Sequence, residues 1–191
     1  SHQILMQKLE TIFKDKMLLY VFYQIIDSYQ LSATKVAVPN LGLPIGNLTS
    51  QYFANFYLAG FDRFIKQKLM IKPYTRYMDD FIIWANNAQE LNNILGKIEN
   101  YLNENLDLTL KIKYINTTKY GLNFLSYRIF ENRIELQSKA KKRFIKKINI
   151  YEQRLKKCSF TQSDYQRHAL PLIAFTEHAS AKGFRKKVFG Y

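Results

Sequence analysis

Tyr74-Thr75-Arg76-Tyr77-Met78-Asp79-Asp80-Phe81-Ile82-Ile83-Trp84 sets two adjacent carboxylates between two runs rich in aromatic and β-branched residues. Aspartate is a poor strand residue and a good tight-turn residue. The stretch therefore predicts a β-hairpin over 73–78 and 81–86, with Asp79 and Asp80 at its tip. Two neighbouring acids repel each other and lose hydration if the tip is covered. A divalent cation relieves both penalties, and hard oxygen donors of this kind suit Mg²⁺, with Mn²⁺ as an alternative. A solvated turn that happens to hold two acids is the competing interpretation.

Working outward, 47% hydrophobic and 15% aromatic content over 191 residues describes a folded chain with a real core. The single cysteine, Cys158, excludes an internal disulfide and a cysteine-based zinc cluster, and suits a reducing, cytoplasmic setting. His2, His168 and His178 show no metal-ligand spacing. No apolar run reaches the ~20 residues of a membrane helix, and no signal peptide is visible. The chain begins Ser1-His2 and not with methionine, which reads as a cut start.

The net charge of +14 is unevenly spread. Residues 1–137 hold 15 basic and 12 acidic side chains, whereas residues 138–191 hold 14 and 3. A basic block of this kind is a footprint for phosphate backbones. An anionic membrane surface and a merely soluble tail are the alternatives.

Residues 3–29 show helical spacing with a break near Lys14-Asp15-Lys16, followed by a loop over 32–44 with a short extended piece at 36–38. Asn47 is placed to cap a long helix to about residue 69, buried early and exposed late. An amphipathic helix covers 88–105. Strand-like runs follow at 109–115, 121–130 and 133–136. From Ser138, Phe144, Ile148, Tyr151 and Leu155 form an apolar stripe, with Lys139, Lys142, Arg143, Lys146 and Lys147 on the other faces. Further helix covers 161–189. The order gives an α+β fold, with an antiparallel sheet, packed helices and a helical appendage.

The second motif is Leu41-Gly42-Leu43-Pro44-Ile45-Gly46-Asn47-Leu48-Thr49-Ser50-Gln51. A Gly-Pro-Gly turn runs straight into a helix N-terminus, where glycine permits close backbone approach and free N–H groups favour an anion. An ordinary capped helix after a tight loop is the bland alternative. This run, extended to Asn55 and followed by Tyr77-Met78-Asp79-Asp80, resembles the palm of retroelement reverse transcriptases. Gly121-Leu122-Asn123-Phe124-Leu125-Ser126-Tyr127 is similar to that family's primer-grip hairpin, with Ser126 where many members carry glycine. Ile45 and Gln51 are most similar to the diversity-generating retroelement type; retron and group II intron enzymes are the neighbouring types.

The resemblance implies a polymerase palm over 1–137, partial, and a basic helical thumb over 138–191, with fingers absent. It implies RNA-directed DNA synthesis with RNA template, DNA or RNA primer and dNTPs as partners, and an accessory retroelement protein as a further one left open. Mg²⁺ would be held by Asp79, with Asp80 as its weaker partner. Tyr77 and Met78 would lie near the primer terminus, and Ile45, Gly46, Ser50 and Gln51 would line the nascent base pair. Lys113, with Lys111 as rival, would meet the triphosphate. Lys139, Lys142, Arg143, Lys146 and Lys147 would follow the template–primer backbone.

The family's further carboxylate, on a strand upstream of the Gly-Pro-Gly turn, has no counterpart; Asp15 and Asp27 lie in helical context. The expectation is a palm–thumb fragment with little or no activity alone. A non-catalytic nucleic-acid-binding module and an RNA-templated RNA polymerase are the competing functions.

Overall fold

Leu5 and Leu9, one helical turn apart, fall on the buried side of α1 (His2–Ile12), as their spacing requires. The computed structural model describes residues 1–32, 40–44 and 46–190, so Ile45 and the expected extended piece at 36–38 lie outside the described residues. The expected break after α1 is present. Asp15 accepts from the backbone N–H groups of Met17 at 2.8 Å and Leu18 at 3.0 Å, and so starts α2 (Lys16–Ser32).

Asn47 caps α3 (Leu48–Arg63), its side chain accepting from the Thr49 N–H at 3.2 Å. The burial along α3 differs from the sequence expectation. Leu48 and Tyr52, in the first turns, are 73% and 70% exposed, whereas Phe53, Tyr57 and Phe61 are buried. Apolar residues surround the start of this helix, but the row four residues apart is the one fully buried, with Phe56 and Leu58 packing against the core at its margin. That row continues to Ile65 in a π-helical segment, Phe64–Lys68.

The chain then forms β1 (Tyr74–Tyr77) and β2 (Asp80–Ile83), an antiparallel pair, followed by α4 (Ala88–Leu106). Asn87 caps α4 by accepting from the Glu90 N–H at 2.8 Å. Ile98, Leu102 and Leu106 are its buried positions and join the α1–α3 core, against which Tyr74, Phe81 and Ile83 of the hairpin pack. Phe61 is the floor beneath the hairpin, with edge-on contacts to Phe81 at 5.1 Å and Tyr74 at 6.2 Å between ring centroids. Gly60 lets α4 come close: a Cβ there would meet the Tyr101 hydroxyl at 3.0 Å. The strand expected over 109–115 does not form, and Lys111, Ile112, Lys113, Tyr114 and Ile115 are exposed. Alternation describes a strand only where a neighbouring strand supplies the hydrogen bonds, and among the described residues none pairs with this run.

Two compact units make up the chain, Ser1–Ile115 and Asn116–Tyr191. The change in charge at 137/138 falls inside the second unit. That unit has a three-stranded antiparallel sheet in the order β3 (Leu122–Phe124), β4 (Tyr127–Ile129), β5 (Ile134–Leu136). The strand-like run at 121–130 is thus a hairpin, the form that the family resemblance implies for 121–127. Leu125 and Ser126 turn the chain, both at positive φ (50° and 73°). Helices α5 (Ser138–Lys156), α6 (Gln162–Glu177) and α7 (Lys182–Phe189) follow. Phe144 and Ile148 of the expected stripe are buried with Ala169, and Tyr165, Ile173 and Phe184 pack against them. Thr161 and Asp164 form a reciprocal capping box that starts α6. Among the described residues no helix is long and apolar enough to cross a membrane.

Candidate active site

Tyr77 pairs with Asp80 across the hairpin, so the loop consists of Met78 and Asp79 alone. Asp79 stands in the loop and Asp80 is the first residue of β2; both side chains are exposed. Met78 adopts φ +55°, a left-handed conformation that residues with a Cβ rarely take. A two-residue loop joining twisted strands demands such a residue. The outcome is two carboxylates adjacent in sequence, presented at one rigid end of a core-packed hairpin.

Beneath the tip lies a charged network. The Arg76 guanidinium donates from Nε to Asp62 Oδ1 at 2.8 Å and from Nη2 to Asp62 Oδ2 at 2.6 Å. Its remaining nitrogen, Nη1, donates to the Met78 carbonyl at 2.7 Å and to Asn55 Oδ1 at 3.1 Å. The Tyr74 hydroxyl donates to Asp62 Oδ1 at 2.7 Å. Burial of Asp62 raises its carboxyl pKa, but the hydrogen bonds from Arg76 and Tyr74 and the charges of Arg76 and Lys66 outweigh it and hold the group below its ordinary value. The same contacts act on the partners. Asp62 raises the Arg76 guanidinium pKa, and burial followed by Asp62 raises the Tyr74 phenol pKa.

The Gly-Pro-Gly turn is tied internally. Ser50 donates its hydroxyl to the Pro44 carbonyl at 2.6 Å, and the ring Nε2 of buried His2 lies 2.6 Å from the Gly42 carbonyl, as its donor. Gly46 has φ +89°, with open space where a side chain would be, so its backbone conformation and not crowding requires glycine. Gln51 is exposed on the first turn of α3. Lys113 is exposed and ion-paired with Glu99 of α4; its rival Lys111 is exposed as well. Lys139, Lys142, Arg143, Lys146 and Lys147 are all exposed on α5, opposite Phe144 and Ile148.

Residues 1–129 match the family model of the reverse transcriptases (RNA-dependent DNA polymerases). The chain belongs to the reverse transcriptase family. No curated protein matches it. The family's nucleotidyl-transfer chemistry uses Mg²⁺, and the donors at the tip are suited to it: two hard carboxylates can take part of a Mg²⁺ shell whose remainder is water and phosphate oxygen. Among the described residues no group of three or more His, Cys, Asp and Glu is placed to hold a metal. In this reverse transcriptase chain Asp62, Arg76, Asn55 and Tyr74 went unnoticed in the sequence as a group. The available signal was an arginine inside an aromatic and β-branched strand, a position where an unpaired charge is costly.

Proposed function

We propose that this chain carries the nucleotidyl-transfer centre of an RNA-directed DNA polymerase, at the tip of the β1–β2 hairpin. One observation carries the proposal: in a chain that matches the reverse transcriptase family, Asp79 in the two-residue loop and Asp80 at the start of β2 stand exposed side by side, the loop being held by Arg76, which is itself tied to Asp62 of α3. Asp79 and Asp80 would hold Mg²⁺, which supplies charge stabilisation for transfer of a nucleotide from a dNTP to a primer 3′ end. Tyr77, 55% exposed, and Met78 flank the carboxylates and would touch the primer terminus. Gly46, Ser50 and Gln51, with Ile45, would line the base pair being made. Lys113 would reach the triphosphate only by leaving Glu99. The exposed cations of α5 would bind template–primer phosphates without reading sequence. Under this reading 1–137 is partial palm and 138–191 thumb, and the motif residues favour the diversity-generating retroelement type.

With two carboxylates as the tip's own donors, these 191 residues support little synthesis by themselves. Primer extension on an RNA template with Mg²⁺ and dNTPs tests this: robust synthesis that vanishes in Asp79→Ala would overturn the inactive-fragment part. Mn²⁺ titration of the same chain tests the ligands. Binding is expected to fall sharply in Asp79→Asn/Asp80→Asn, and unchanged binding removes the carboxylates' role. For a longer product that carries this chain, incorporation of NTPs in preference to dNTPs would favour an RNA polymerase.

A further inference from the structure

A fork between Arg76 and Asp62 would be enough to staple β1 onto α3. Arg76 does more than that. Its third nitrogen, Nη1, reaches past the fork to the loop itself and donates to the Met78 carbonyl at 2.7 Å and to Asn55 Oδ1 at 3.1 Å. Asn55 in turn directs its amide at the Met78 sulfur, 4.0 Å away. The Arg76 side chain is 10% exposed and its bond to the Met78 carbonyl is partly buried, whereas its contact with Asn55 lies at the surface. Met78 is the one residue of the loop held at positive φ, a conformation that favours glycine. Its carbonyl belongs to the peptide that leads into Asp79, so fixing that oxygen fixes the orientation of the Asp79 backbone.

From this geometry we propose that Arg76, seconded by Asn55, is a positioning residue that locks the Met78–Asp79 peptide so that Asp79 and Asp80 face one divalent cation together. The proposal rests on the reading of those two carboxylates as cation ligands. A cationic brace next to a cation site would ordinarily oppose binding. Here Asp62 neutralises the guanidinium through two short bonds, so the loop gains a rigid donor with little opposing charge. Lysine cannot substitute, because a single ammonium does not span a carboxylate fork and a carbonyl on the far side.

The test uses the 191-residue chain with Mn²⁺ as probe, followed by loss of the free-ion electron paramagnetic resonance signal. Arg76→Lys is expected to weaken Mn²⁺ binding on the order of tenfold, as loss of a partner that orients a metal ligand does. Asn55→Ala, which leaves the Asp62 fork intact and serves where Arg76→Lys does not fold, is expected to weaken it by a smaller factor. Backbone hydrogen exchange supplies a readout independent of metal. Arg76→Lys should speed exchange at the Asp80 amide, where β2 pairs with Tyr77 beside the loop, while Ile98 and Leu102 of α4 keep wild-type protection. Loss of Mn²⁺ binding in Asp79→Asn/Asp80→Asn, with Arg76→Lys and Asn55→Ala within about twofold of wild type, overturns the positioning role and leaves the ligand reading intact. Unchanged binding in Asp79→Asn/Asp80→Asn overturns the ligand reading instead. Exchange at Asp80 that does not respond to Arg76→Lys overturns the brace whatever the metal result.

Discussion

The two hairpins of this chain share one construction and differ in what holds their loops. Each turns in two residues, Met78-Asp79 between β1 and β2 and Leu125-Ser126 between β3 and β4. The first holds one residue, Met78, and the second both of its residues at positive φ, where glycine or asparagine is the usual choice. The β3–β4 loop is tied by neutral groups: the Gln137 N–H donates to the Ser126 carbonyl at 3.1 Å, and the Gln137 side chain donates to the Tyr127 carbonyl at 2.9 Å. The β1–β2 loop is tied by an arginine whose charge is cancelled by a half-buried aspartate. The Leu125-Ser126 loop is held by amides. The loop that carries Asp79 and leads into Asp80 is held by an ionic network.

The largest effect that would expose this difference concerns the floors. Phe61 is 1% exposed beneath the first hairpin, and Phe61→Ala should cost about 3–4 kcal/mol in urea unfolding. Phe175, half-buried against Tyr127 at 4.9 Å, should cost about 1–2 kcal/mol in the same assay. Equal losses would show that both hairpins lean equally on their aromatic floors.

Next come the braces themselves. Asp62→Ala leaves Arg76 shielded and unpaired, and should destabilise by about 2 kcal/mol, between the values for exposed and buried pairs. Gln137→Ala removes a neutral side-chain hydrogen bond and should cost about 1 kcal/mol. Denaturation midpoints of the two variants compare them directly.

The ionic brace alone should respond to acid. The folded-state pKa of Asp62 lies below its ordinary value of 3.8, so its contribution is fully present above that value and is lost as pH falls through the lower folded one. The stability gap between wild type and Asp62→Asn should therefore be wide at about pH 6 and narrow at about pH 3. The gap for Gln137→Ala should stay constant across the same range. A pH-independent Asp62 gap would refute the ionic account.

A gain is expected from the second loop. Leu125→Asn with Ser126→Gly supplies residues that accept positive φ at both positions, and should stabilise by about 1 kcal/mol, read as a raised unfolding midpoint. The smallest effect on stability belongs to the charges of α5. Lys142→Gln and Lys146→Gln should each shift stability by less than about 0.5 kcal/mol. Each should lower the salt slope of template–primer binding by about 1 if that lysine meets a phosphate.

Much of this was legible locally. The hairpin followed from aspartates between strand-forming runs, the helix starts from Asn47, and the α5 face from Phe144 and Ile148 four residues apart. The β3–β4 turn was marked by the family resemblance of 121–127 and not by its own residues, because Leu125 and Ser126 are not the residues a positive-φ turn usually employs. The strand read over 109–115 failed for a related reason. Alternation is a property of the segment, whereas a strand is a property of a pair.

By itself the sequence determined the helices and the hairpin on which the two carboxylates stand, because caps, turns and helical stripes are settled within a few residues. Tertiary structure alone decided what those elements hold in place. It joined Arg76 to Asp62 and Asn55, fourteen and twenty-one residues away, tied Lys113 to Glu99, and selected one row of α3 for burial. Those choices depend on which surfaces meet when the core closes, and no periodicity within a single segment encodes its partner.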